Sequence, residues 1–291
     1  MIEISQGVVR AGLIGAGIQQ SRSPALHTRE GSALGLDYRY DLFDLDLAPE
    51  GLGALGRIVY QAERDGYAGL NVTYPAKQAI IPLLSELSQD AADLGAVNTI
   101  VFSNGRRVGH NTDCFGFAEG FRRGLPGVAL ERVVQLGAGG AGSAVAYALL
   151  SLGVGQLCLF DPDADRLEGL IARLARRFGS GRVSAGTDLS AAMSRADGLV
   201  NATPIGMAKH PGLPLAAHLL SARLWISEVI YVPLETQLVQ LATQMGCRVV
   251  DGGAMAVFQA AMAMKLFTDV EPDSERMLAH FNEITRNGGV I

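Results

Sequence analysis

VVQLGAGGAGSAVAYAL, Val133 to Leu149, passes from an apolar run through a cluster of glycines into an alanine-rich stretch. Gly137, Gly139 and Gly142 stand in GxGxxG spacing, a pattern that carries meaning only between a strand and a helix. Both flanks are present here. Glycines let the backbone approach a pyrophosphate, and the helix start offers unpaired N–H groups and the positive end of the helix dipole. The turn Gly137-Ala138-Gly139-Gly140-Ala141-Gly142 is therefore the candidate dinucleotide site. The next apolar run ends LCLFD, and Asp161 lies 19 residues beyond Gly142, close to the ~20 expected of an acidic ribose ligand. A carboxylate there accepts from the adenosine ribose hydroxyls and repels a 2′-phosphate. That favours NAD over NADP, and Arg166, one helical turn further, softens the preference. A plain turn aspartate before Pro162 is the competing reading.

Around this stretch, strand-like and helix-like segments alternate. Upstream, strands are expected at Val8–Ile14, Tyr38–Leu45, Tyr67–Thr73, Val97–Phe102 and Arg107–Asn111, the last two flanking the turn Ser103-Asn104-Gly105. Helices are expected at Pro24–Leu34, Leu52–Asp65, Ala76–Leu87 (broken or bent near Pro82) and Phe115–Gly124. The pattern then restarts. Strands at Arg132–Leu136, Leu157–Phe160, Val183–Ala185, Gly198–Asn201, Trp225–Val229 and Arg248–Val250 alternate with helices, among them Ala141–Leu152 and Asp163–Phe178. Helices near Met255–Leu266 and Ser274–Thr285 close the chain, with a frayed NGGVI end. The fold class is α/β, with parallel sheets covered by helices in two domains. Residues 118–254 form the Rossmann-type, doubly wound dinucleotide domain. Residues 1–117, completed by 255–291, form the other.

Composition narrows the function. The 291 residues are 48% hydrophobic and 18% charged, with net charge −5 and no basic run, so a nucleic-acid partner is not expected. No run of 18 apolar residues suggests a membrane span, and MIEISQGVVRAG lacks a signal-peptide pattern. Cys114, Cys158 and Cys247 are odd in number and widely spaced, which suits a reducing cytoplasm. They and the five histidines show no metal-ligand spacing, so no metal is expected. His110 reads as structural, Trp225 as core, and Met262 and Met264 as packing.

A dehydrogenase also needs a group that takes the proton from an alcohol as hydride leaves. The first domain offers Lys77 in GLNVTYPAKQ, Asn98 in GAVNTIVF, Asp113 in GHNTDCFGF, and Ser21 and Ser23 in IQQSRSPALH. Each has a plain reading: a solvated lysine, a turn asparagine, a helix N-cap aspartate, and a Ser23 that caps the first helix. Their joint appearance beside strand ends favours function.

These segments resemble one family. SRSPALH (21–27), NVTYPAK (71–77), GAVNT (95–99), HNTD (110–113), NATPIGM (201–207), YVP (231–233) and DGGAMAVFQA (251–260) look like the signature segments of shikimate dehydrogenases, in order along nearly the whole chain. The closest resemblance is to the NAD-dependent quinate/shikimate branch, through Asp161 and a GMxxHPG segment at Gly206–Gly212. Phe160-Asp161-Pro162 departs from the Asn-Arg-Thr/Ser phosphate clamp of the NADP-dependent branch. The resemblance implies roles. Lys77 and Asp113 form the coupled proton-transfer pair, and which holds the proton at each step stays open. Asn98, Asp113, Lys77 and Gln259 hold ring hydroxyls, and Asn71 supports the same pocket. Ser21, Ser23, Thr73 and Tyr231 hold the substrate carboxylate. Nicotinamide lies along Ala202, Thr203, Pro204, Met207, Val229, Gly253 and Met255. The substrate domain carries the substrate, the middle domain carries the nucleotide, and hydride passes between them. Ser23 stands where quinate users often carry Thr, so shikimate ranks ahead of quinate. An enzyme acting on an amino-substituted quinate, a non-catalytic dinucleotide sensor and a folate-dehydrogenase-like enzyme are the alternatives. Monomer and homodimer, and biosynthetic and catabolic roles, stay open.

Overall fold

The computed structural model describes residues 7–286, so the expected fraying of NGGVI lies outside the described residues. The chain divides into two compact units. One comprises the chain up to Thr112 together with the chain from Val257 onward; the other is Asp113–Ala256. The boundaries thus fall at 112/113 and 256/257, where the sequence pattern suggested 117/118 and 254/255. The earlier first boundary has a packing reason. The helix Thr112–Gly124 begins sooner than expected, and its Phe117 and Phe121 belong to the core of the second unit.

The second unit holds six strands: β7 (Arg132–Leu136), β8 (Gln156–Phe160), β9 (Val183–Ala185), β10 (Gly198–Asn201), β11 (Trp225–Glu228) and β12 (Arg248–Val250). They pair in parallel in the order β12-β11-β10-β7-β8-β9. Counted from β7, this is the 3-2-1-4-5-6 order of a Rossmann sheet. The strands are mostly apolar because both faces are covered, with Gln135, Asn201 and Glu228 as buried polar exceptions. Val133 joins one core with Leu149, Leu157 and Trp225, whereas Val134 joins the opposite core with Leu199 and Ile226. Trp225 is 3% exposed and its indole N–H donates to the Ala129 carbonyl at 2.8 Å.

The first unit holds β1 (Val9–Gly15), β2 (Tyr38–Asp44), β3 (Gly69–Val72), β4 (Glu86–Leu87), β5 (Thr99–Ser103) and β6 (Arg106–His110), in the order β2-β1-β3-β5-β6-β4. This sheet is mixed rather than wholly parallel. The turn at Asn104-Gly105 makes β5 and β6 a hairpin, so β3–β5 and β5–β6 are antiparallel. The expected helix Ala76–Leu87 is also different. Pro82 cannot extend a helical ladder, and the segment resolves into a helix at Ala76–Ala79, a 3₁₀ turn at Ile81–Leu83 and β4. The Ser85 N–H instead donates to the Arg107 carbonyl at 2.9 Å. A further helix, Gln89–Leu94, follows. One face of the sheet buries Ile14, Val59, Leu70 and Ile100, and the other packs Leu13, Tyr38 and Tyr40 against Met264 and Phe267.

No helix among the described residues is long and apolar enough to cross a membrane, and they contain no His/Cys/Asp/Glu group able to hold a metal.

Candidate active site

The glycine turn fits a dinucleotide. Gly137 has φ +97°, and a Cβ there would lie 2.6 Å from the Ala202 carbonyl oxygen. A Cβ on Gly142 would lie 2.3 Å from the Gly137 carbonyl oxygen, so only glycine lets the helix start this close to the strand. Gly139, by contrast, faces open space, leaving its backbone approachable. The helix Gly140–Ser151 begins directly behind it, with Ala141 half-buried in its first turn. The buried side chain of Gln135 ties the turn together, donating from Nε2 to the carbonyls of Gly137 and Gly142, each at 2.8 Å.

Asp161 is not an exposed turn residue: its side chain is only 5% exposed. It accepts the Ala138 N–H at 2.7 Å and the Asp163 N–H at 2.9 Å. Arg166 approaches it at 3.3 Å and pairs with Asp163 at 2.9 Å. This guanidinium is therefore shared between two carboxylates at the end of β8. Ala202, Thr203 and Val229 are half-buried at the ends of β10 and β11, Gly253 is buried, and Pro204 and Met207 are exposed. Met255 packs against the core that contains Phe117 and Val133.

In the first unit the structure gathers several predicted residues into one polar network. Asn71 and Asn98 are 6% and 4% exposed. The Asn71 amide donates to the Thr99 hydroxyl at 3.0 Å, and Asn98 donates to the Thr112 hydroxyl at 3.0 Å. The Asn98 side-chain oxygen accepts the Thr112 N–H at 2.7 Å. Tyr40 completes the network: its hydroxyl donates to Asn71 Oδ1 at 2.8 Å and also bonds the Ser23 side chain. Tyr40 carried no signal in sequence beyond strand patterning, and Thr99 and Thr112 lay within GAVNT and HNTD with no role of their own assigned.

Ser23 does not cap the first helix. Arg22 occupies the N-cap, and the Ser21 hydroxyl accepts the Ser23 N–H at 3.2 Å. The loop before these serines is pinned by Asp44, which accepts from the N–H groups of Gly17 and Ile18 and from the Gln19 amide. Burial pushes the Asp44 carboxyl up. Hydrogen bonds from Gln19, Asp46, Gly17 and Ile18 outweigh it and hold the pKa below the usual value.

Lys77 is half-buried on the short helix that follows the cis Tyr74–Pro75 peptide, and its carbonyl accepts the Val97 N–H at 2.8 Å. Thr73 and Gln259 are half-buried in the same unit. Asp113 is 7% exposed and sits inside the first turn of the helix Thr112–Gly124, not at its N-cap. It belongs to the second unit, as does Tyr231, which is 42% exposed.

The chain resembles known proteins along most of its length. A model of the shikimate dehydrogenase substrate binding domain matches residues 13–100. A protein of Streptomyces avermitilis named shikimate dehydrogenase (NADP+) is 52% identical over 289 residues, 99% of each chain. A quinate/shikimate dehydrogenase (NAD+) of Corynebacterium efficiens is 46% identical, over 93% of this chain and 96% of that one. The structure of quinate dehydrogenase from Corynebacterium glutamicum in complex with NAD matches with a TM-score of 0.91 at 41% identity, over 95% of this chain and 100% of that one. The fold and these likenesses define an oxidoreductase that acts on a CH–OH group with a nicotinamide dinucleotide. The chain belongs to the shikimate dehydrogenase family.

Proposed function

We propose that this chain is an NAD-preferring shikimate dehydrogenase that reversibly oxidises the ring 3-hydroxyl to a ketone, with quinate second to shikimate. Overall identity does not decide the cofactor, because the Streptomyces relative named for NADP+ is more similar than the Corynebacterium one named for NAD+. The observation that carries the preference is local. The Asp161 carboxylate occupies the end of β8 and the nearby Arg166 is already paired with two carboxylates. A 2′-phosphate would meet negative charge there with no unpaired guanidinium beside it.

Ala202, Thr203, Pro204, Met207, Val229, Gly253 and Met255 would hold a nicotinamide, which would supply the hydride acceptor. Lys77 and Asp113 receive the hydroxyl proton as a coupled pair. Asn98 and Gln259 orient the ring hydroxyls, and Asn71 holds the pocket in shape. Ser21, Ser23, Thr73 and Tyr231 bind the carboxylate through neutral hydroxyls. The test follows reduced-nicotinamide absorbance in four mixtures: shikimate or quinate, each with NAD or NADP. The fastest reaction is expected with shikimate and NAD. Activity with NADP alone would overturn the role of Asp161, and silence in all four would overturn the substrate.

Tyr40 offers a narrower check. Tyr40→Phe removes the hydroxyl that joins Ser23 to Asn71. The KM for shikimate should rise about tenfold, the scale of one lost hydrogen bond, with NAD affinity unchanged. An unaltered KM would remove Tyr40 from the substrate network.

A further inference from the structure

The second unit buries one carboxylate that the glycine turn and Asp161 leave unexplained. Glu228 ends β11 and is 1% exposed. Its Oε1 accepts the N–H groups of Val229 at 2.9 Å and Ile230 at 3.1 Å. Both oxygens accept from the Asn201 amide at 3.0 Å, and Oε2 accepts from the Thr236 hydroxyl at 2.9 Å. Each contact is a donor. A protonated carboxyl has a hydrogen of its own to place, so this surrounding selects the anion. Burial pushes the Glu228 carboxyl up, and the bonds from Asn201, Ile230, Thr236 and Val229 offset this only in part, so its pKa stays above the usual carboxylate value. Among the described residues no cation is ion-paired with it. Burying an anion without a counter-charge is costly, which asks what a positive charge nearby would be.

The sheet gives its place. Its winding reverses between β7 and β10, and ligands of such sheets lie outside the carboxyl ends of the strands at that point. The Gly137 turn meets Ala202 there. Asp161, at the end of β8, marks the adenosine side, so the nicotinamide side falls towards β10 and β11. Glu228 reaches this side through Asn201. The Asn201 side-chain oxygen accepts the N–H of Thr203 at 3.1 Å and its hydroxyl at 2.7 Å, and that hydroxyl accepts the Ile205 N–H at 3.1 Å. Thr236 meanwhile caps the helix Gln237–Gln244. One carboxylate thus ties together the loops after β10 and β11.

We propose that Glu228 sets the charge of the nicotinamide subsite: its buried carboxylate favours the cationic, oxidised ring over the neutral, reduced one, while its hydrogen bonds hold both loops. This rests on the dinucleotide reading above and adds a preference for one redox form. One unit charge acting over ~10 Å at an effective dielectric of ~20 changes an affinity roughly tenfold.

The experiment measures binding, not turnover: NADH by fluorescence titration and NAD+ by calorimetry. Glu228→Gln should weaken NAD+ about tenfold more than NADH. Glu228→Ala, which leaves room for water among the same donors, should do likewise and serves if the glutamine variant does not fold. Glu228→Asp keeps the charge and should keep the wild-type ratio of the two affinities, even if both fall. A purely structural Glu228 would lower both affinities equally in Gln and Ala, and that result overturns the proposal. An equal shift of the ratio in Asp and Gln also overturns it. Wild-type protein that binds neither form overturns the dinucleotide reading itself.

Discussion

Lys77→Ala should fold, bind NAD and lose turnover by about 10²- to 10⁴-fold, the range for removing a general acid–base group. The local structure supports the first part on physical grounds. Lys77 holds its segment through its backbone carbonyl, which accepts the Val97 N–H at 2.8 Å, and alanine keeps that bond. The side chain is half-buried on a helix of only four residues, so its loss leaves no large cavity in either core. Turnover should fall far more than shikimate affinity, because a proton acceptor contributes mainly in the transition state. Asp113→Asn, changed together with Lys77→Ala, should cost much less than the sum of the two single losses, as expected of groups acting as one unit. Near-normal turnover in Lys77→Ala would end the catalytic assignment.

The second large effect is on stability in acid. His27 is 1% exposed, bonds the Tyr38 hydroxyl through Nδ1 at 3.1 Å and lies among the rings of Tyr38, Tyr40 and Phe267. Burial lowers its pKa from 6.5 to about 3. The folded protein therefore holds His27 neutral while the unfolded chain binds a proton. A group with a depressed folded pKa leaves stability intact above its unfolded value and erodes it as pH falls towards the folded one. Between pH 6.5 and about 3 this residue should cost roughly 1.4 kcal/mol per pH unit. Urea unfolding at pH 7, 6 and 5 should show wild type losing stability more steeply than His27→Phe, by about half that slope from pH 7 to 6 and nearly all of it from pH 6 to 5. Phenylalanine suits the aromatic surroundings, and the lost bond to Tyr38 is a pH-independent offset. His110 and His280, also lowered chiefly by burial, contribute to both proteins alike. Equal slopes would show that His27 takes up its proton without unfolding.

What was legible in the sequence follows from what each residue needs. Gly137 and Gly142 were readable because so tight a strand-to-helix turn tolerates nothing else at those contacts, and Asp161 because its offset is set by one helix and one strand. The residues to which the proposed chemistry is assigned, Lys77, Asn98 and Asp113, stood out through short segments that place polar side chains at strand ends. Partners supplied from far along the chain were not. Tyr40 read as one position of an alternating strand, and its bond to Asn71 spans 31 residues. Gln135 and Glu228 sit inside apolar strand runs, where periodicity assigns packing. The segment after Lys77 was misread for a related reason: Pro82 announced a break, but the carbonyl of Arg107 that captures the chain afterwards is carried by another strand.

The helix Gly253–Thr268 crosses the boundary between the two units in sequence, and this has a bearing on biosynthesis. Its later part supplies Ala263, Met264 and Phe267 to the face of the first sheet that contains Ala11, Leu13, Tyr38 and Tyr40. On the ribosome those strands emerge early, yet their covering arrives only after all of residues 113–256 has been translated. The second unit is one unbroken stretch and can fold as it appears. The first must wait with one apolar face only partly covered, so the unit that starts first is finished last, and the nascent chain spends that interval exposed to aggregation and to chaperones.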